Sequence, residues 1–143
     1  MESHIKKLIC ATAASFLFAN CYSQARMPQI QQYGTTQFIA GGIGVDECKV
    51  MQSEACNWPL QLMFSEIQKG TTFGSWIADV DIKITDKSGD SVLSIISDGP
   101  LVLVKLPPGT YILTANYLGK VATRSITLQE GRSQTVYVSW AEK

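Results

Sequence analysis

The stretch KLPPGTYILTANYLGK, residues 105–120, decides the fold. Pro107 and Pro108 have no amide donors, so a strand ladder ends there, and Gly109 can take the positive backbone angle that a tight turn needs. Beyond them Tyr111, Leu113 and Ala115 point to one side, and Ile112, Thr114 and Asn116 to the other. That is the period of a strand with one buried face. Pro-Pro-Gly therefore punctuates two antiparallel strands, and Gly119-Lys120 turns the chain again.

Working outward, the same rhythm continues. On the C-terminal side VATRSITL leads through Gln129-Glu130-Gly131-Arg132 to SQTVYVSW, whose apolar side is Val136, Val138 and Trp140. On the N-terminal side LVLVKL follows the turn Ser97-Asp98-Gly99-Pro100, and its apolar run suggests a strand covered on both faces or a sheet edge under a helix. Before it, the turn Asp86–Asp90 joins WIADVDIKITD to SVLSIISDG in a hairpin, with Ala78, Val80, Ile82 and Ile84 facing inward. PLQLMFSEI (59–67) alternates Leu60, Leu62 and Phe64 against Gln61, Met63 and Ser65, and QFIAGG (37–42) is a first strand. Between these two, Asp46 as N-cap, Glu47 in the first turn and a stripe of Val50, Met51 and Ala55 predict a short helix over 46–55. About seven strands near ten-residue spacing predict an antiparallel β-sandwich.

The run GPLVLVKLPPGTYILTANYLGKVATRSITLQEG, residues 99–131, resembles the carboxypeptidase regulatory-like domain, a transthyretin-like (prealbumin-like) sandwich. The motif is an apolar strand, Leu106-Pro107-Pro108-Gly109, then Tyr111-x-Leu113-x-Ala115, the Gly119 turn and Glu130-Gly131. With the strand from Ala78 to Asp86 the resemblance spans about 76–140. An exported start and GGIG before a short helix strengthen the likeness to small bacterial periplasmic proteins that carry such a domain alone. The resemblance implies a fold, and it implies accessory, adhesive, assembly or carbohydrate-contacting roles; the motif contains no catalytic residue to carry over.

Residues 1–25 read as a signal peptide: Lys6 and Lys7, the apolar run Leu8–Ala19, too short to span a bilayer, and small residues at Ser23 and Ala25. Cys21 keeps a lipoprotein variant open, although Asn20 fits poorly before an acylated cysteine. Residues 26–36, RMPQIQQYGTT, read as a flexible linker, leaving 37–143 as a single domain. The whole chain has 12 basic and 12 acidic residues; less Lys6, Lys7 and Glu2, the mature chain keeps 10 and 11. With no basic excess or cluster, nucleic acid is not an expected partner. No transmembrane segment is expected in the mature chain.

His4, the one histidine of the sequence, lies in the leader. The mature chain therefore cannot build a Ser-His-Asp or Cys-His nucleophile and lacks the commonest transition-metal ligand. No catalytic residue, metal or cofactor is expected. Cys48 and Cys56 would be joined in an oxidising periplasm, yet eight residues along a helix span about 12 Å, roughly twice what a disulfide tolerates. A bond requires the helix to end near Ser53; two free thiols are the alternative. Asp79 and Asp81 would share a strand face about 7 Å apart, near the separation of paired catalytic carboxylates, but aspartates on outer faces and in turns are ordinary for a sandwich, and no calcium loop is present. Trp58, Trp76, Tyr117 and Tyr137 are the candidate ligand-binding residues, able to form a sugar-stacking platform if they cluster outside the core.

The expected function is thus a non-catalytic periplasmic module contacting another envelope protein through a sheet face or an open edge strand. The alternative is a carbohydrate-binding module with a glycan as ligand. Mass spectrometry of the secreted protein should find an amino terminus at Arg26; a retained Met1 would overturn export, and an acylated Cys21 would select the lipoprotein variant.

Overall fold

The computed structural model describes residues 26–142; the expected leader and Cys21 lie outside the described residues. In chain order the elements are β1 (Gln31–Tyr33), β2 (Thr36–Gly41), helix α1 (Val45–Glu54) with a 3-10 turn (Ala55–Asn57), β3 (Leu60–Ile67), β4 (Gly74–Trp76), β5 (Asp81–Thr85), β6 (Ser91–Ile96), β7 (Leu101–Lys105), β8 (Gly109–Tyr117), β9 (Lys120–Leu128) and β10 (Gln134–Ala141). They form two sheets. One runs β1-β2-β7-β3-β10 with β4 also on β3, and the other runs β6-β5-β8-β9. The expected β-sandwich with one short helix is what the chain builds. The strand number rises from about seven to ten partly because β1 and β4 are only three residues long, β1 lying within the stretch read as linker.

The alternation read from the sequence becomes the core. Leu60, Leu62, Phe64, Val102, Val104, Val138 and Trp140 from the first sheet meet Ile82, Ile84, Leu93, Tyr111, Leu113, Ala115 and Ile126 from the second. A second cluster lies on the outer face of the first sheet, where Met51, Ala55 and Trp58 cover Ile39, Met63, Leu101 and Leu103. Strand β7 is therefore central and covered on both faces, the first of the two arrangements its unbroken apolar sequence allows.

Three local expectations are corrected. First, β7 and β8 do not pair; Pro107-Pro108 carries the chain from one sheet to the other. Gly109, at φ +156°, opens β8, and the Tyr111 hydroxyl reaches back to donate to the Pro107 carbonyl at 2.6 Å. The spacing of Leu-Pro-Pro-Gly-x-Tyr is thus that of an anchored corner, one bond pinning the crossing to the strand that follows. Second, the sandwich is not wholly antiparallel, because β10 runs parallel to β3. Third, WIADVDIKITD is not one strand. Trp76 stays with the first sheet opposite Ser65, Asp79 turns the chain at φ +61°, and β5 starts in the second sheet at Asp81. Asp tolerates that left-handed conformation better than most residues. The break also shifts the parity, burying Ile77 and leaving Ala78 half-buried.

The β5–β6 turn is held by Asp86, whose carboxylate accepts from the Ser88 hydroxyl and from the amides of Ser88 and Asp90. Those bonds, the Ser88 hydroxyl foremost, keep its pKa below the ordinary value. Gly99 marks the tightest approach in the fold: a Cβ there would run into the Gly41 backbone.

Burial, and secondarily the Asp86 carboxylate, push the Tyr111 hydroxyl above its ordinary pKa of 10.0. Folding therefore favours the neutral phenol; its contribution is complete below pH 10 and is lost as the pH rises through the higher folded value. Tyr111→Phe should lower stability by about 0.5–1.5 kcal/mol and flatten the alkaline limb of a stability–pH curve. Tyr111→Ala should cost about 3–5 kcal/mol, and Gly99→Ala about 1–3 kcal/mol. Chemical denaturation across pH 7–11 measures all three, and a Tyr111→Ala protein as stable as the parent would refute the sandwich register.

Candidate functional site

A helix can cover only part of a sheet face, and α1 leaves a cleft where its N-terminus meets β4 and the 97–100 turn. The cleft encloses about 650 Å³. Its walls are largely apolar, formed by Ile43, Val45, Trp76, Ile77 and Pro100, with Cys48 and Lys49 on the helix side. Ile43, Val45 and Trp76 are 64%, 70% and 51% exposed, so a substantial apolar rim faces water.

The local sequence explains why the rim stands open. Asp46 does not cap the helix as expected; Gly44 occupies the N-cap at φ 90°, ψ 150° with no side-chain bond, and Asp46 lies in the first turn. Instead Glu47 Oε1 accepts from the Gly42 amide at 2.8 Å. This ties the GGIG loop to the helix while Ile43 and Val45 project outward. Neither residue was a candidate from sequence, although two apolar side chains flanking a glycine, outside any periodic element, were the available signal.

The four aromatic candidates do not form one cluster. Trp58 is buried under the helix, with Lys105 Nζ 5.3 Å from the centre of its ring, so it is a core residue. Tyr117 is half-buried at the end of β8 and packs on Trp140, ring centres 5.6 Å apart. It supports the sandwich edge and is not a free platform. Trp76 and Tyr137 are exposed and share the outer face of the first sheet. Pairing sets Trp76 beside Ser65, and Ser65 beside Ser139, two residues along β10 from Tyr137. The Ser65 and Ser139 hydroxyls are hydrogen-bonded at 2.9 Å.

The Asp79–Asp81 pair is also taken apart. Asp79 lies in the crossing, its amide bonded to the Ser97 carbonyl, and only Asp81 belongs to β5. The strand geometry from which their common face was read does not exist. Among the described residues no group of three or more potential metal ligands comes together.

Cys48 and Cys56 are both free thiols. Helical structure runs on through the 3-10 turn to Asn57 instead of ending near Ser53, and this holds the sulfurs apart. Cys48 is half-buried beside the cleft; Cys56 is exposed. Compared with known proteins, the chain matches no family model and no curated protein sequence.

Under non-reducing conditions a thiol titration of the mature protein should count two reactive groups, Cys56 at once and Cys48 slowly. A count of zero with a monomeric mass would mean that the two are joined and the helix end is misplaced.

Proposed function

We propose that this protein is a non-catalytic binding module of the bacterial periplasm, exported by its leader, and that it engages another envelope protein through the cleft at the N-terminus of α1. The observation that carries this reading is the apolar cleft itself: about 650 Å³, walled by Trp76 and rimmed by Ile43 and Val45. A concave apolar site with an aromatic wall suits the insertion of an apolar side chain from a partner. The likeness of the LPPG-centred segment to the carboxypeptidase regulatory-like domain supports the same reading, since such domains serve as accessory modules.

A second reading is supported by the pairing of Trp76 and Tyr137 on one face. Two exposed aromatic rings with the Ser65 and Ser139 hydroxyls between them would offer stacking surfaces and polar partners to a glycan.

Photo-cross-linking from benzoylphenylalanine in place of Val45, in the native periplasm, should give a discrete adduct that disappears in Trp76→Ala. As an exposed residue, Trp76 should affect folding stability by no more than about 0.5 kcal/mol, while loss of a central aromatic anchor weakens binding by about 2 kcal/mol or more. Adducts that persist unchanged in Trp76→Ala would refute the cleft as the contact. Saturable quenching of tryptophan fluorescence by soluble oligosaccharides, lost in both Trp76→Ala and Tyr137→Ala, would select the glycan reading.

A further inference from the structure

A sandwich has open sheet edges, and in this one β1, β4, β9 and β10 each carry a device against further pairing. Strands β1 and β4 are only three residues long. On β9, Arg124 occupies the inward-facing parity opposite Leu113, an inward charge that deters an incoming strand. On β10, Lys120 Nζ donates to the Ala141 carbonyl at 2.7 Å and Trp140 Nε1 donates to the Lys120 carbonyl at 3.1 Å, latching that seam.

Strand β6 is interrupted near its start by a register shift against β5, between the Ile84–Leu93 and Thr85–Ser91 pairs, but from Leu93 to Ile96 it runs in regular register with its outer edge open. It pairs only with β5, and its sequence, SVLSII, contains no charge, proline or glycine. Ile96 is 65% exposed. β1 passes near β6 across the seam, but no backbone hydrogen bond links the two. A row of unpaired amides and carbonyls on an uncharged strand is a template for an extended chain.

The surroundings specify which chain. Asp90 precedes β6, Asp98 follows it, Asp81 faces Ile96 from β5, and Asp79 is hydrogen-bonded at the same end through Ser97. All four are exposed, and Lys83 and Lys87 are the nearby cations on β5 and its turn. A second copy paired antiparallel about Ser94 would set Asp90 of one chain against Asp98 of the other at both ends, a like-charge arrangement that costs binding. We propose that β6 is a docking edge for an extended segment of another protein, one that alternates apolar residues and is flanked by lysine or arginine. On the inner side its apolar residues would continue the row begun by Leu93 and Ile95, which already face the core. This inference rests on reading the domain as a protein-binding module, but it uses a surface separate from the Trp76 cleft.

The test is fluorescence anisotropy of the labelled peptide KKVTVTVKK with the mature protein at low salt, alongside amide exchange of residues 91–96. Expected are saturable binding, slowed exchange in β6, loss of binding when alternate peptide amides are N-methylated, and roughly tenfold weaker binding by D81K/D98K. That variant, its fold checked by melting, should favour the acidic peptide EEVTVTVEE. Trp76→Ala should bind KKVTVTVKK as the parent does, so failure of the cleft and failure of the edge are separate results. Absence of binding, equal binding of the N-methylated or acidic peptide by the parent protein, or concentration-dependent dimerisation that slows exchange in β6 would each overturn the proposal.

Discussion

Leu101 and Leu103 point away from the sandwich interior, and they have to be taken out of water. Their strand, β7, already commits Val102 and Val104 to the inner core, so the apolar run cannot be satisfied by one partner sheet. Helix α1 supplies the second cover through Met51, and the 3-10 turn that follows it through Ala55. At roughly 25 cal/mol per Å² of apolar surface removed from water, neither face could be left exposed without losing much of a small domain's net stability. The position of the helix follows from this need, and the cleft follows from the position of the helix.

Legibility from sequence divides along the same line. The inner core was readable because each strand pays one side chain in two to a single interior: Tyr111, Leu113 and Ala115 are buried as their spacing implies, and so are Val138 and Trp140. The helix was readable from its narrow apolar stripe. What period alone cannot encode is which strands are neighbours. Pro107-Pro108 looks the same whether it closes a hairpin or carries the chain between sheets, and the distinction rests on a bond from Tyr111 that joins residues four apart only after the corner forms. Trp58 failed as a surface candidate for a related reason. It lies just before β3, outside any alternating pattern, and its burial is set by the helix end above it.

Asp79 shows how one residue can redirect a site. As an interior strand position it would have faced Asp81 across one residue; as a left-handed turn it sends Trp76 and Asp81 to different sheets. The same turn brings Ile77 to the floor of the cleft and places Asp79 at the end of β6. The sheet crossing therefore shapes two separate surfaces, one apolar and concave, the other an acidic rim about an uncharged strand. What each offers a ligand is shape, exposed apolar area or unpaired backbone, and these are the means by which a protein recognises another chain.

The parallel pairing of β10 with β3 has a consequence in time. Ser65 and Ser139, neighbours across that pair, are 74 residues apart in sequence, so the first sheet lacks an edge strand until β10 is present. Non-local pairing of this kind costs loop-closure entropy before it is rewarded, and such topologies fold on the slower scale of milliseconds to seconds. A nascent chain of this design cannot complete its first sheet before β10 has been made. For a protein proposed to be threaded through a membrane as an extended polypeptide, that delay would help keep the chain translocatable, and the sandwich would close on the far side.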